Sequence, residues 1–301
     1  MRVGIVGAGA LGTLFGYRLA ERNEVALLDV APAIVEAVRR DGLRIDDLPA
    51  RRVAIDTGAR ELFGAQVLFV FVRATDTLRA LRPFVGNLDP ACAIVSLQSG
   101  IANDDAVKAV LGGSVAVVVG ATTESAQTVG PGHVHPLGSG TTIVGPAGAS
   151  PDVCARVAQL LAEAGMKASV AYDIRSHLWG KLIATAAINP VAALLDRPNR
   201  VVLDDANARE LARALAGEAA GVAAALRVAL PFSDPWAYVR GIAEQTADLR
   251  NSLLYDLEHG AATEIDHVNG AVVAAGRRVG VATPYNDAVT RLIRARSEQN
   301  R

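Results

Sequence analysis

The sequence predicts an α/β fold: a doubly wound parallel sheet in the first half, followed by an all-helical C-terminal domain. Three observations predict it. Apolar runs alternate with helical patterns up to about residue 120, a glycine-rich loop joins the first run to the first helix, and from Asp173 the chain is Ala- and Leu-rich with helical periodicity almost to its end. The 301 residues correspond to about two domains. Hydrophobic residues make up 51% and charged residues 20%, which excludes disorder for most of the chain. Thirty Lys+Arg against 31 Asp+Glu leave a net charge of -1 and no electrostatic footprint for nucleic acid or an acidic membrane.

Strands are predicted at Val3–Val6, Val25–Leu28, Val67–Val72, Ala93–Leu97 and Val115–Val119. Their near-continuous apolar character is that of parallel strands covered on both faces. Ala10–Arg22 and Pro32–Asp41 read as the intervening helices, and two short strands near Val134 and Ile143 read as a hairpin at the sheet edge. Pro151–Gly165 is amphipathic, and Val170–Tyr172 is a last short strand candidate. Five helices are predicted beyond it: Ile174–Leu195, Leu203–Leu226, Pro235–Leu257, Thr263–Val279 and Pro284–Arg296. The domains therefore read as 1–172 and 173–301.

Gly7-Ala8-Gly9-Ala10-Leu11-Gly12 has the G-x-G-x-x-G spacing between a strand and a helix. The first Gly permits the tight turn, the second the approach of a pyrophosphate and the third close helix–strand packing. The phosphates would meet free N–H groups at the helix start, so the first half reads as a Rossmann-type dinucleotide-binding domain. Asp29 ends the second strand. A carboxylate there accepts hydrogen bonds from ribose hydroxyls and repels a 2′-phosphate, which favours NAD(H) over NADP(H). Asp29 also reads as a helix N-cap, because Ala31-Pro32 follow.

The chain has only three lysines, Lys108, Lys167 and Lys181. Lys181 lies in the apolar segment 178–190 and shares one helix face with Thr185 and Asn189. Reduction of a carbonyl needs a proton for the developing alkoxide, and a buried ammonium both stabilises that oxygen and donates the proton. Arg hardly deprotonates, a reason for a chain so rich in Arg to keep Lys here. A lysine whose stem packs and whose head reaches solvent is the other reading. Glu264, on the helix predicted at 263–279, is placed either to orient that lysine or to complement the helix dipole as a first-turn acid. His133 and His135 flank Val134 without a third ligand nearby, so no metal site is expected. Cys92 and Cys154 read as buried thiols in a reducing compartment.

Together these motifs resemble the ketopantoate reductase family (2-dehydropantoate 2-reductases) over essentially the whole chain. The resemblance rests on the glycine loop, on Leu178-Trp179-x-Lys181-Leu182 continuing to Ile188-Asn189-Pro190, on Pro198-Asn199, and on Thr263-Glu264-Ile265-Asp266 with Asn269-Gly270. It implies a Rossmann domain, a helical domain and a cleft between them, and reduction of 2-dehydropantoate to (R)-pantoate. It also implies that Lys181 is the general acid, that Asn189, Asn199 and Ser252 bind substrate, and that Glu264 orients Lys181 or binds near the ribose and substrate. Arg73 stands where the family usually has a cofactor- or substrate-contacting Lys. Ser99 replaces an Asn near the nicotinamide, Thr185 an Asn one turn after the lysine, and Glu124 a frequent His. Asp29-Val30 stand where NADP-type members carry an Arg. Ser99 and Thr185 still donate hydrogen bonds but do not fill an amide's position, which bears on substrate choice more than on the reaction.

The expectation is thus a nicotinamide-dependent oxidoreductase of a small 2-oxo acid. The alternatives are an NAD-dependent D-2-hydroxyacid (mandelate-type) dehydrogenase of the same family, which the Asp29 signal favours, and a non-catalytic dinucleotide-binding sensor. Retention of Lys181, Asn189, Ser252 and Glu264 argues against the sensor. No apolar run reaches a spanning length, and the N-terminus reads as a core strand from its second residue, so a cytoplasmic protein is expected. The apolar C-terminal helices would serve a homodimer interface or an internal core equally well.

Overall fold

The computed structural model describes residues 1–101 and 103–299. It divides into two compact units. The first comprises residues 1–98 with 103–174, and the second 99–101 with 175–299.

In the first unit the elements alternate as β1 (Arg2–Val6), α1 (Ala10–Leu19), β2 (Glu24–Leu28), α2 (Pro32–Asp41), β3 (Arg44–Ile45), β4 (Ala54–Asp56), β5 (Val67–Val70), α3 (Thr77–Leu81), β6 (Ala93–Ser96), α4 (Asn103–Leu111) and β7 (Ala116–Thr122). They continue through β8 (Ala126–Gly130), β9 (His133–Pro136), β10 (Thr141–Pro146), α5 (Pro151–Glu163) and β11 (Lys167–Val170). Eight strands form one sheet in the order β11-β10-β7-β6-β5-β1-β2-β4, parallel except where β10 runs antiparallel to β7. Every residue of β5 and β6 is buried, as continuous Val/Leu/Ile/Phe character requires of strands covered on both faces. β1 is followed by β2 on one side and by β5 on the other, so the strand order reverses there. The loop leaving β1 therefore opens at the topological switch point, where such sheets take ligands.

Two expectations for this unit fail in detail. The segments around Val134 and Ile143 do not pair with each other. Val134 lies in β9, which joins β8 and β3 in a separate three-stranded sheet, whereas Ile143 lies in β10 and pairs with Ala121 of β7. β8 carries Ala-Gln-Thr-Val-Gly, too short and polar to stand out, so its part as the partner of β9 was not legible. The last strand runs Lys167–Val170 rather than 170–172. Both imidazoles of β9 are taken by one residue: His133 Nε2 meets the Asp46 carbonyl (3.2 Å) and His135 Nδ1 its carboxylate (2.7 Å). Cys92 and Cys154 are buried, and burial pushes the Cys92 thiol up to about 12.

The second unit is helical: α6 (Ile174–Leu194), α7 (Val201–Asp204), α8 (Ala206–Ala225), α9 (Pro235–Gln245), α10 (Ser252–Glu258), α11 (Asn269–Val279) and α12 (Pro284–Gln299). Its core packs Trp179, Leu182, Ile183 and Ile188 of α6 against Leu215 and Val222 of α8, Val239 of α9, Val272 of α11 and Val289 of α12. Three of the predicted helices are broken. Asp205 interrupts the second, accepting from the Ala208 N–H to start α8. The third ends at Gln245, and Asn251 restarts it as α10 by accepting from the Leu254 N–H. In the fourth, Ile265–His267 is a 3₁₀ turn and α11 begins only at Asn269. Side-chain capping competes with continuation of a helix, and apolar periodicity carries across such breaks without recording them.

Candidate active site

Two groups of candidate site residues form, one in each unit. In the first, Gly7 turns the chain after β1 at φ +98°, and a side chain there would press on the backbone of Val72. A Cβ on Gly12 would overlap the carbonyl oxygen of Gly7, whereas one on Gly9 would meet nothing within 4 Å. The loop is thus closed on its sheet side and open at Gly9. The first α1 hydrogen bond runs from the Thr13 N–H to the Gly9 carbonyl (2.8 Å), so the N–H groups of Ala10, Leu11 and Gly12 precede the helical ladder and have no carbonyl within it. An open loop face with free donors at a helix start fits a dinucleotide pyrophosphate. Gly12→Ala is expected to cost about 1–3 kcal/mol by overpacking and to abolish dinucleotide binding, checked by thermal unfolding and by fluorescence titration with NADH.

Asp29 does more than either reading foresaw. Its Oδ2 accepts from the Ala8 N–H (2.7 Å) and its Oδ1 from the Ala31 N–H (2.9 Å), so one half-buried carboxylate ties the glycine loop to the turn after β2. The N-cap residue of α2 itself is Ala31. Each carboxylate oxygen keeps a second lone pair for a ribose hydroxyl. Arg73 follows β5 half-buried, one residue beyond the Val72 backbone that supports Gly7. Gln98 holds this edge together, and sequence reasoning missed it. Its Nε2 donates to the Val72 carbonyl (2.6 Å) and to Thr77 Oγ1 (2.8 Å), its Oε1 accepts from Ser96 Oγ (3.0 Å), and its carbonyl accepts from Asn103 Nδ2 (3.1 Å). A lone Gln after an apolar strand carries no pattern that announces four partners.

In the second unit α6 is buried almost all round. From Trp179 to Val191 only Lys181, Thr185 and Asn189 keep partial exposure, one per turn on a single face. Thr185 and Asn189 of that face line a recess of about 330 Å³ that is open to solvent; Lys181, one turn earlier on the face, is not in its lining. Thr185, Asn189, Ser99, Ser252 and Glu264, all singled out from the sequence, line it together, with Leu253, Ile265 and Val268 as its apolar wall. Asp256, 3% exposed, and Asn269, 0% exposed, line it as well. Asp256 was missed because an acid one turn into a short helix reads as a surface residue. Ser252 reaches the recess because Asn251 caps α10 and makes it the first helical residue.

Lys181 and Glu264 act on each other electrostatically. Burial pushes the Lys181 ammonium below the ordinary lysine range, and the Glu264 carboxylate pulls it back up. Glu264 does so from the residue before the 3₁₀ turn, not from a helix. Glu264 thus stands at the N-cap of that turn, without a capping hydrogen bond to its side chain, rather than in the first turn of a long helix. Asn199 is absent from the lining. Its Nδ2 donates to Thr246 Oγ1 (3.1 Å), its Oδ1 accepts from Asn251 Nδ2 (2.9 Å), and its N–H donates to the Leu249 carbonyl (3.0 Å). Its amide holds the segment that delivers Ser252, rather than opening on the recess.

The family model described as ketopantoate reductase PanE/ApbA matches residues 3–149, and its C-terminal counterpart matches residues 173–297. The chain belongs to the ketopantoate reductase family. A 2-dehydropantoate 2-reductase of Archaeoglobus fulgidus is 34% identical over 97% of both chains. The crystal structure of a PanE/ApbA family ketopantoate reductase from Ralstonia eutropha JMP134 superposes with a TM-score of 0.92 at 30% identity, covering 100% of this chain and 99% of that one. A D-mandelate dehydrogenase in complex with NADH superposes at 0.91 with 26% identity over the whole of both chains. The chain is thus a member of an oxidoreductase family with a Rossmann-type sheet and a helical C-terminal region. Among the described residues, no helix is long and apolar enough to cross a membrane.

Proposed function

We propose that this protein catalyses the nicotinamide-dependent reduction of 2-dehydropantoate, or a similar C3-branched 2-oxo acid, to the (R)-2-hydroxy acid, with Lys181 as general acid. One observation carries the reading: the Lys181 ammonium, with Glu264 acting on its charge, stands on the same helix face as the Thr185 and Asn189 side chains of a polar recess. The bound nicotinamide supplies the hydride. Gly7 to Gly12 hold the pyrophosphate on the free N–H groups of α1, Asp29 accepts from the adenosine ribose hydroxyls, and Arg73 and Ser99 complete the cofactor and substrate contacts. Lys181 stabilises the negative charge developing on the C2 oxygen and delivers its proton there. Burial makes that ammonium a better acid than a free lysine, and the Glu264 carboxylate favours its charged form. Asn189, Thr185 and Ser252 donate to the substrate's carboxylate and hydroxyl oxygens, and Asn199 acts on Ser252 through the loop it braces. In this reading the protein works in the cytoplasm, and its product enters the route to pantothenate.

A second reading, an NAD-linked D-2-hydroxyacid dehydrogenase, is favoured by Asp29 and by the likeness to the NADH-bound mandelate dehydrogenase. Oxidation of NADH and NADPH should be assayed against 2-dehydropantoate, its unbranched analogue and phenylglyoxylate. Preferred turnover of 2-dehydropantoate upholds the first reading and preferred turnover of phenylglyoxylate the second. No turnover with any acid leaves a non-catalytic dinucleotide-binding sensor. NADH is expected to be the better cofactor. Asp29→Ala should raise KM for NADH about tenfold, the loss of one charge-assisted hydrogen bond, and lower the NADH-to-NADPH ratio of kcat/KM, because the repulsion toward a 2′-phosphate goes with the carboxylate. An unchanged ratio would remove Asp29 from cofactor choice.

A further inference from the structure

We infer that Asn269 is a positioning residue for oxo-acid recognition, holding the Thr185–Asn189 face of α6 through a carbonyl that Pro190 leaves without a helical donor. In an unbroken helix the Ala186 carbonyl accepts from the N–H of residue 190. Residue 190 is Pro, lies inside α6 and has no N–H. Ala186 is 0% exposed, so water does not replace the lost donor. Asn269 Nδ2 donates to the Ala186 oxygen at 2.9 Å. The gap in the ladder falls between Thr185 and Asn189, the two α6 residues that line the recess.

The orientation of the Asn269 amide is dictated from the other side. Asn286 uses its own Nδ2 on the Leu215 carbonyl (3.2 Å) and on Glu218 Oε2 (2.7 Å), so its Oδ1 faces Asn269 and accepts the second Nδ2 hydrogen at 2.9 Å. Glu218 is held in turn by the N–H groups of Tyr285 and Asn286. A continuous polar line thus runs from α8 through α12 and α11 to the broken turn of α6. Asn269 Oδ1 is buried without a hydrogen-bond partner among the described residues, an unfavourable arrangement that an apolar side chain would relieve. What such a side chain could not do is supply the donor that Ala186 lacks. This one hydrogen bond joins the Asn269-Gly270 motif to the turn of α6 that Pro190 leaves incomplete.

This inference rests on reading the Thr185–Asn189 face as the oxo-acid site. Asn269→Leu, Pro190→Ala and the double variant test it, because Pro190→Ala restores an N–H to the Ala186 carbonyl. In Asn269→Leu, KM for 2-dehydropantoate should rise on the order of tenfold or more through misplacement of the binding groups. KM for the dinucleotide and the alkaline limb of the pH profile should stay as in the wild type, since Lys181 and Glu264 are untouched. The double variant should regain most of the lost affinity. Hydrogen exchange in the peptide covering residues 182–194 should quicken in Asn269→Leu and slow again in the double variant. If leucine prevents folding, Asn269→Ser, too short to bridge both acceptors, takes its place in both backgrounds. A double variant no better than the single one, or equal losses toward oxo acid and dinucleotide, overturns the inference. Should the wild type reduce no 2-oxo acid, the functional reading falls, while exchange that depends on Asn269 and is rescued by Pro190→Ala still upholds the tether.

Discussion

Lys181→Ala is expected to lower kcat for oxo-acid reduction on the order of 10³-fold, the combined worth of a proton donor and an oxyanion partner, with the Kd for NADH close to the wild-type value. In the proposed reading the dinucleotide meets the glycine loop and Asp29, none of which lies on α6. Loss of the ammonium therefore removes an interaction made chiefly in the transition state, which lowers kcat and kcat/KM together. Lys181→Arg should be almost as impaired, because a guanidinium keeps the charge and cannot release the proton. Steady-state kinetics with a parallel fluorescence titration of NADH check both statements. Turnover near the wild-type rate in Lys181→Ala would end the general-acid assignment.

Glu264→Gln is expected to lower kcat/KM about 10- to 100-fold at alkaline pH, with a deficit that shrinks as the pH falls. The direction follows from the two influences on Lys181. Burial disfavours the ammonium and lowers its pKa, and the Glu264 carboxylate favours it and raises the pKa. In the proposed reading reduction uses the protonated amine, so the rate is full below the Lys181 pKa and falls above it. Without the carboxylate only the lowering influence remains, and the alkaline limb of the profile moves to lower pH. Each unit of displacement costs about tenfold at a pH above both limbs. A profile reduced in height but not displaced would mean that Glu264 serves the substrate rather than the lysine.

The glycine loop, Asp29 and the Lys181–Thr185–Asn189 face were legible because each is a local pattern. A strand, a turn and a helix start lie within a dozen residues, and a four-residue spacing places three polar groups on one helix face whatever surrounds it. Helix ends in the second unit were less legible. Apolar periodicity crosses residues 246–251 and 264–268 without a sign of interruption, although Asn251 and Asp205 are recognisable capping residues once a break is sought. The role of β8 and the four partners of Gln98 were not legible at all, since both depend on what lies opposite in space.

Asn199 shows the same limit for the site. The resemblance implies a substrate ligand at Asn199, and the partners of its amide, Thr246 and Asn251, are some 50 positions away. Asp256 and Asn269 enter the recess because α10 and α11 carry them there. Nothing within either helix distinguishes a side chain at the recess from one in the core.

By itself the sequence determined the class of the fold and marked out the glycine loop, the Asp29 carboxylate and the Lys181–Thr185–Asn189 face as candidate site groups, because backbone periodicity and residue chemistry act over a few neighbouring positions. Only the tertiary structure decided that Glu264 acts on Lys181 from a turn rather than a helix, that Asn199 braces rather than lines the recess, and that Asn269 completes the turn broken by Pro190. The physical reason is one of range: hydrogen-bond satisfaction and electrostatic influence are set by distances between groups 47 to 83 residues apart, and no local pattern records them.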